Sequence, residues 1–268
     1  MVGCSPKALF PTDNRVYDSI DKYDYNFKKH TFHSQDKTPL NGLHIQNKKE
    51  CKGIIVVTNG LHENMSSRFK TWLWAVESGY DVFIFDYRGY GESEEEVDMY
   101  GFRDDVNAAI EFAHSLNETQ SMTVVGQSMG GTFVIDALVA KEYDYVELVV
   151  ADSTFTSFAS TMNSFMLKTI VLIPFSWLPY TFTPDDLNAI ENVPKLNTPI
   201  LFVTGDDDWI VNYENSKELY RNVKVSKSLW IVKDAGHVKS FQNKALREDF
   251  LHLLKTKQAL NSNRVKYF

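Results

Sequence analysis

Apolar runs and amphipathic stretches alternate along most of this chain. Continuous β-branched or aromatic runs occupy 53–58, 81–86, 122–125, 146–151, 199–204 and 228–233. Each has strand length and lacks polar alternation, the mark of strands buried on both faces. Between them lie stretches with helical spacing, near 67–77, 101–116, 132–141, 215–222 and 240–254. In the first of these, Phe69, Trp72, Leu73 and Val76 share one side. Residues 26–34 and 39–48 alternate more loosely around Ser34-Gln35-Asp36-Lys37, as a hairpin would. A hairpin followed by strand–helix repeats predicts an α/β fold, with a mostly parallel central sheet and helices on both faces. Residues 152–193 break the rhythm. They are rich in Phe, Met, Trp and Tyr, and Pro174, Pro179 and Pro184 interrupt any long helix.

In a parallel sheet, ligands bind beyond the carboxyl ends of the strands, so chemistry belongs in the residues that follow them. Three such places carry reactive side chains. Gly126-Gln127-Ser128-Met129-Gly130-Gly131 follows the run at 122–125 and opens a helix. Asp206-Asp207-Asp208 follows the run at 199–204, and Asp234-Ala235-Gly236-His237 follows the last one. A bare G-x-S-x-G arises by chance in roughly one chain in ten of this size. Strand, glycine-flanked serine and helix together make a nucleophile elbow, a strained turn that presents the Ser128 hydroxyl. A serine hydroxyl needs a neighbouring base, itself held by a third group.

Composition narrows the classes. With 43% hydrophobic and 13% aromatic residues, the 268-residue chain can fill a large core. The net charge of −7 and the lack of a long basic run argue against nucleic acid as a partner. Cys4 and Cys51 form no disulfide framework or metal motif, and no apolar run is long enough to span a membrane. Val2-Gly3-Cys4-Ser5 resembles the end of a lipoprotein signal without its apolar region. As written the chain reads as soluble and cytoplasmic. The alternative is a cell-envelope lipoprotein, membrane-associated through a lipid on Cys4 if a signal peptide precedes the chain.

The order Ser, Asp, His at late strand ends resembles that of the α/β-hydrolases. The likeness is closest to the branch of serine aminopeptidase-like and monoacylglycerol-lipase-like proteins. It covers about residues 25–257 and rests on Asn59-Gly60, Asp86-Tyr87-Arg88-Gly89-Tyr90-Gly91, Gly126 to Gly131, Gly205 to Val211, and Gly236-His237. The resemblance implies Ser128 as nucleophile and His237 as general base and acid. The family's acid stands three residues after a glycine and three before a valine, which selects Asp208 over Asp206 and Asp207. Asp152, at an earlier strand end, is a weaker candidate whose expected role is capping. The oxyanion hole is expected from the backbone N–H groups of Leu61 and Met129. Here the chain departs from the pattern, with Asn59 where the family has a histidine. Arg88 is expected to support the site. Of the other histidines, only His62 falls near the expected mouth, and His30, His33, His44, His114 and His252 read as surface or packing residues.

The implied activity is hydrolysis of an ester or related acyl bond of a small-molecule substrate, without a cofactor or metal. A peptidase or amidase would use the same triad, and a non-catalytic binding protein would use the fold alone. The expected organisation is an extension at 1–24, a hydrolase core at 25–151 and 194–257, a cap at 152–193 and a tail at 258–268. Within the cap, Phe165, Met166, Phe175 and Trp177 are the candidate lining of an apolar acyl pocket.

Overall fold

The computed structural model describes residues 10–49, 51–93, 96–117, 121–168, 170–256 and 263–268, without the side chains of residues 165, 168, 170–172 and 182. Strands β1 (Asn26–His33) and β2 (Pro39–Gln46) form the expected hairpin, paired from Asn26↔Gln46 to His33↔Pro39. The remaining strands are β3 (Ile54–Thr58), β4 (Asp81–Phe85), β5 (Met122–Gln127), β6 (Val146–Asp152), β7 (Ile200–Gly205), β8 (Lys227–Val232) and β9 (Arg264–Tyr267). They make one sheet in the order β1-β2-β4-β3-β5-β6-β7-β8-β9, antiparallel at β1-β2-β4 and parallel beyond.

Successive strand side chains point to opposite faces, and the unbroken apolar runs feed two cores. Ile54, Val56, Phe83, Phe85, Ile200 and Phe202 face one cluster. Ile55, Val57, Val82, Ile84, Leu201 and Val203 face the other. The first is covered by α3 (Met99–Leu116), α4 (Met129–Ala140) and α8 (Glu214–Asn222), through side chains such as Phe102, Phe133 and Leu219. The second is covered by α1 (Met65–Arg68), α2 (Leu73–Glu77) and α9 (Lys244–Thr256), through Met65, Val76 and Phe250 among others.

The helix expected at 67–77 is broken. A 3-10 turn at Phe69–Trp72 separates α1 from α2. Residues three apart eclipse in a 3-10 turn, which puts both Phe69 and Trp72 on the sheet, each almost fully buried. Asn64 starts α1 through a capping box with Ser67. The last helix likewise begins later than expected. Ser240–Gln242 is a 3-10 turn, and the Leu246 amide donates to Asn243 Oδ1 at the head of α9.

Segments outside the expected core also pack on it. Phe10 is buried edge-on against Phe102 and Phe158, with centroids 5.6 and 5.8 Å away. Part of the expected tail is β9, which pairs with β8. All four β9 residues are exposed, so no apolar pattern announced the strand. Residues 152–193 form short pieces: α5 (Phe158–Lys168), a 3-10 run at Ile170–Phe175, α6 (Pro179–Phe182), a turn at Asp185–Leu187 and α7 (Ala189–Asn192).

Candidate active site

Ser128 joins β5 to α4 with φ 53° and ψ −118°. Left-handed backbone is costly for a residue with a Cβ, so the surroundings must hold it there. The Ser128 amide donates to the Asp152 carbonyl at 2.8 Å, and the Gly131 amide returns to the Ser128 carbonyl at 3.1 Å. The motif glycines leave no space. A Cβ on Gly126 would overlap the Gly131 backbone, and one on Gly131 would overlap Thr154.

Asp208 and His237 are brought together from neighbouring strand ends. His237 Nδ1 lies 2.8 Å from Asp208 Oδ2, while Asp208 Oδ1 accepts the amides of Ile210 and Val211 at 3.0 and 2.9 Å. The Asp208 carboxylate is fully buried. With Nδ1 committed to it, Nε2 is the free imidazole nitrogen. Among the described residues no hydrogen bond joins the Ser128 hydroxyl to His237; such contacts often tighten only with substrate bound.

The two loops are also fastened to each other. The Asp234 amide donates to Asp206 Oδ1 at 2.7 Å, and the Asp207 amide to the Ala235 carbonyl at 3.1 Å. Asp206 and Asp207 are exposed, and Asp206 serves the turn before His237. A third fastening, from the Val238 amide to Ser153 Oγ at 3.2 Å, ties this turn to the end of β6.

The loop after β3 comes close to the nucleophile. A Cβ built on Gly60 would stand 3.2 Å from Ser128 Cβ. Neither the Leu61 nor the Met129 amide donates to another described residue. Asn59 is buried, and its Nδ2 donates to the Phe85 carbonyl at 2.9 Å. It ties the end of β3 to that of β4, so the departure from the family's histidine has a structural use. Arg88 is also structural, its guanidinium bonded to Asp105, Asp36 and Ser34. His62 is exposed with φ 62°. His44 pairs with Asp81 at 2.9 Å, and His114 stacks on Tyr145.

Among the described residues the Asp152 side chain caps no following segment, its one hydrogen-bond partner being Gln127. It is fully buried below the elbow, and burial pushes its pKa up to about 6 against the opposing Gln127 Nε2 donor at 3.2 Å. Asp86 is pushed up to about 7 by burial, although the amides of Met65 and Glu92 donate to it at 2.6 and 2.9 Å.

Of the candidate pocket lining, Phe175 and Trp177 are 51% and 59% exposed in this structure. Proline-broken pieces too short to bury a full apolar face leave them in solvent. Met166 is half-buried. The Phe165 side chain and Cys4 lie outside the described residues. Two residues that the sequence reading passed over, Glu63 and Arg68, stand next to Gly60 as a partly buried ion pair. They sit in a mostly polar stretch, Asn59 to Arg68, where two charges give no distinct signal.

Comparison with known proteins settles the lineage. Residues 49–184, just over half of the chain, match the family model described as serine aminopeptidase, S33. The chain belongs to the serine aminopeptidase S33 family. The uncharacterized protein YfhR of Escherichia coli (strain K12) is 28% identical over 219 residues, covering 80% of this chain and 74% of that protein. Protein bem46 of Schizosaccharomyces pombe is 33% identical over 135 residues, 49% of this chain and 42% of its own. Among solved structures, the Pyrococcus furiosus esterase Pf2001 superimposes with a TM-score of 0.72 at 20% identity, over 90% of this chain and 94% of that one. This member of the S33 family is therefore a hydrolase of the α/β fold.

Proposed function

We propose that the protein is a serine hydrolase that cleaves a carboxylic ester, or a related acyl bond, through an acyl-enzyme on Ser128. The observation that carries this reading is the Asp208–His237 pair, 2.8 Å apart, at the same sheet edge as a serine held in a left-handed elbow. Asp208 fixes the imidazole with Nε2 as its basic nitrogen. As Ser128 Oγ attacks the acyl carbon, its proton passes to Nε2. The carbonyl oxygen becomes an oxyanion that the uncommitted amides of Leu61 and Met129 can bind, each such donor worth about 10²–10³ in rate. His237 returns the proton to the leaving oxygen, and the acyl-enzyme forms. A water then repeats the attack, giving its proton to His237, which passes it to Ser128 Oγ as the bond to the acyl carbon breaks and the acid leaves.

The test is covalent labelling with a fluorophosphonate, with the modified peptide located by mass spectrometry, beside a panel of p-nitrophenyl esters. Ser128 should carry the label, and Ser128→Ala should lose both labelling and ester turnover. Substantial turnover in that variant would overturn the reading. The family's description as a serine aminopeptidase supports a second reading, amide cleavage on the same residues. Faster turnover of aminoacyl anilides than of every ester would favour it.

A further inference from the structure

The loop that brings Leu61 beside Ser128 is held by a charged pair. The Gly60 amide donates to Glu63 Oε2 at 3.2 Å. The other carboxylate oxygen, Oε1, is paired with Arg68 Nη2. Both side chains are only 19% exposed, so the pair is largely withdrawn from water. Gly60 stands between this pair and the nucleophile: a Cβ placed on it would be 3.2 Å from Glu63 Oε2 and 3.2 Å from Ser128 Cβ.

We propose that Glu63 and Arg68 are positioning residues, which hold the Gly60–Glu63 turn so that the Leu61 amide faces the oxyanion. The inference rests on the serine hydrolase reading above. Taking the Gly60 N–H into a carboxylate fixes that peptide and leaves the next amide, Leu61, without a protein partner. The turn passes through His62 at φ 62°, a conformation that has to be held from outside. Asn59 anchors the entry of the loop on the Phe85 carbonyl, and Glu63 anchors its exit. Arg68, at the end of α1, fixes the Glu63 side chain, which alone would be drawn toward solvent. Removing either partner of such a pair leaves a partly buried charge uncompensated. A loop that serves the oxyanion acts only when charge develops, so its loss should appear in kcat rather than KM.

Glu63→Ala and Arg68→Ala should each lower kcat for p-nitrophenyl esters about 10- to 100-fold, with KM within about twofold of the parent. The rate of fluorophosphonate labelling at Ser128 should fall in parallel. The double variant should lose no more than either single one, because the two act as one unit. Arg68→Lys, which keeps a cation, should recover most of the rate. Thermal melts and circular dichroism establish that each variant is folded. Should Glu63→Ala not fold, Glu63→Gln carries the test. It keeps an acceptor for the Gly60 amide and loses the ion pair, so an intermediate fall in kcat is expected. Unchanged kcat and labelling in the folded variants overturn the proposal. A raised KM at constant kcat does so as well, because the pair would then be contacting substrate. Absence of label on the parent Ser128 would bring down the hydrolase reading itself, a separate and recognisable result.

Discussion

The loops after β5, β7 and β8 and the excursion between β6 and β7 lie at one edge of one sheet, yet they are built by different means. In the first group, backbone and side-chain bonds fasten each turn to the next. Asp208 alone takes three donors or partners, and Asp206, Ser153 and Asp152 each hold a neighbouring turn. The excursion uses proline-punctuated helical pieces, and it leaves Leu167, Phe175, Trp177 and Tyr180 about half exposed or more. Proton transfer tolerates errors of only a fraction of an ångström, so the fastened loops are suited to chemistry. A loosely covered surface suits contacts that vary with the substrate. The contrast predicts large, position-specific losses in one region and small ones in the other.

The sharpest test lies among three consecutive aspartates. Asp208→Asn should lower kcat by about 10³–10⁴, because an amide cannot hold the productive imidazole tautomer. Asp206→Asn keeps an acceptor for the Asp234 amide, and Asp207 contributes only its backbone. Both should stay within about threefold of the parent, as ordinary surface changes do. Steady-state ester kinetics on the three variants decides it. A dead Asp207→Asn beside an active Asp208→Asn would reverse the assignment.

A second contrast is between two glycines of the fastened region. A Cβ on Gly131 overlaps Thr154, whereas one on Gly236 meets nothing nearer than 3.8 Å. Gly131→Ala should cost about 3 kcal/mol or more of stability, the scale of an overpacked core site. Gly236→Ala should cost less than about 1 kcal/mol. Urea unfolding of both variants compares them directly.

Much of this edge could be read before any coordinates. Unbroken β-branched runs announced strands buried on both faces, and the sheet rule placed the chemistry at their ends. The resemblance to the α/β-hydrolases, through the family's glycine and valine at Gly205 and Val211, selected Asp208, and the structure places Asp208 Oδ2 2.8 Å from His237 Nδ1. Other features left no periodic trace. β9 has no buried side chain, so its pairing rests on backbone bonds that any sequence could supply. The break between α1 and α2 came from Phe69 and Trp72 both seeking the sheet, a tertiary demand that a helical pattern does not distinguish from an ordinary apolar stripe. The Glu63–Arg68 pair was hidden for a similar reason. Two charges five residues apart look solvated until the loop between them folds back.

Further from the site, buried charge gives a smaller effect. Asp136, on α4, is pushed up to about 6 by burial, with Asp186 and Asp104 raising it and Arg103 and Lys195 lowering it. Asn192 Nδ2 donates to one of its oxygens at 3.1 Å. The folded state thus holds this proton more tightly than the unfolded chain does. The resulting stabilisation is complete below the ordinary value of 3.8 and is lost as pH rises through about 6. Asp136→Asn cannot lose a proton. Its Tm should therefore drop less than the parent's between pH 5 and pH 8, by about 2–4 °C, the effect of ~1 kcal/mol in a chain of this size. An identical drop in both proteins would show that Asp136 ionises freely in the fold.

The smallest effect is expected where the sequence had promised one of the larger. Trp177 and Phe175 were candidates for an acyl pocket, and each buried methylene of a substrate chain would be worth about 0.8 kcal/mol against such a wall. A ring that is more than half in solvent cannot exclude water from that chain. Truncating it should leave both stability and selectivity almost unchanged. Trp177→Ala and Phe175→Ala should stay within about 0.5 kcal/mol of the parent in urea unfolding, as exposed positions do. Their kcat/KM values on p-nitrophenyl esters from acetate to decanoate should follow the parent's profile. Loss of the longer-chain rates in either variant alone would show that the excursion folds over the bound acyl chain. The difference between the two regions would then be one of timing, with the loops after β5, β7 and β8 set in advance and the cover formed on the substrate.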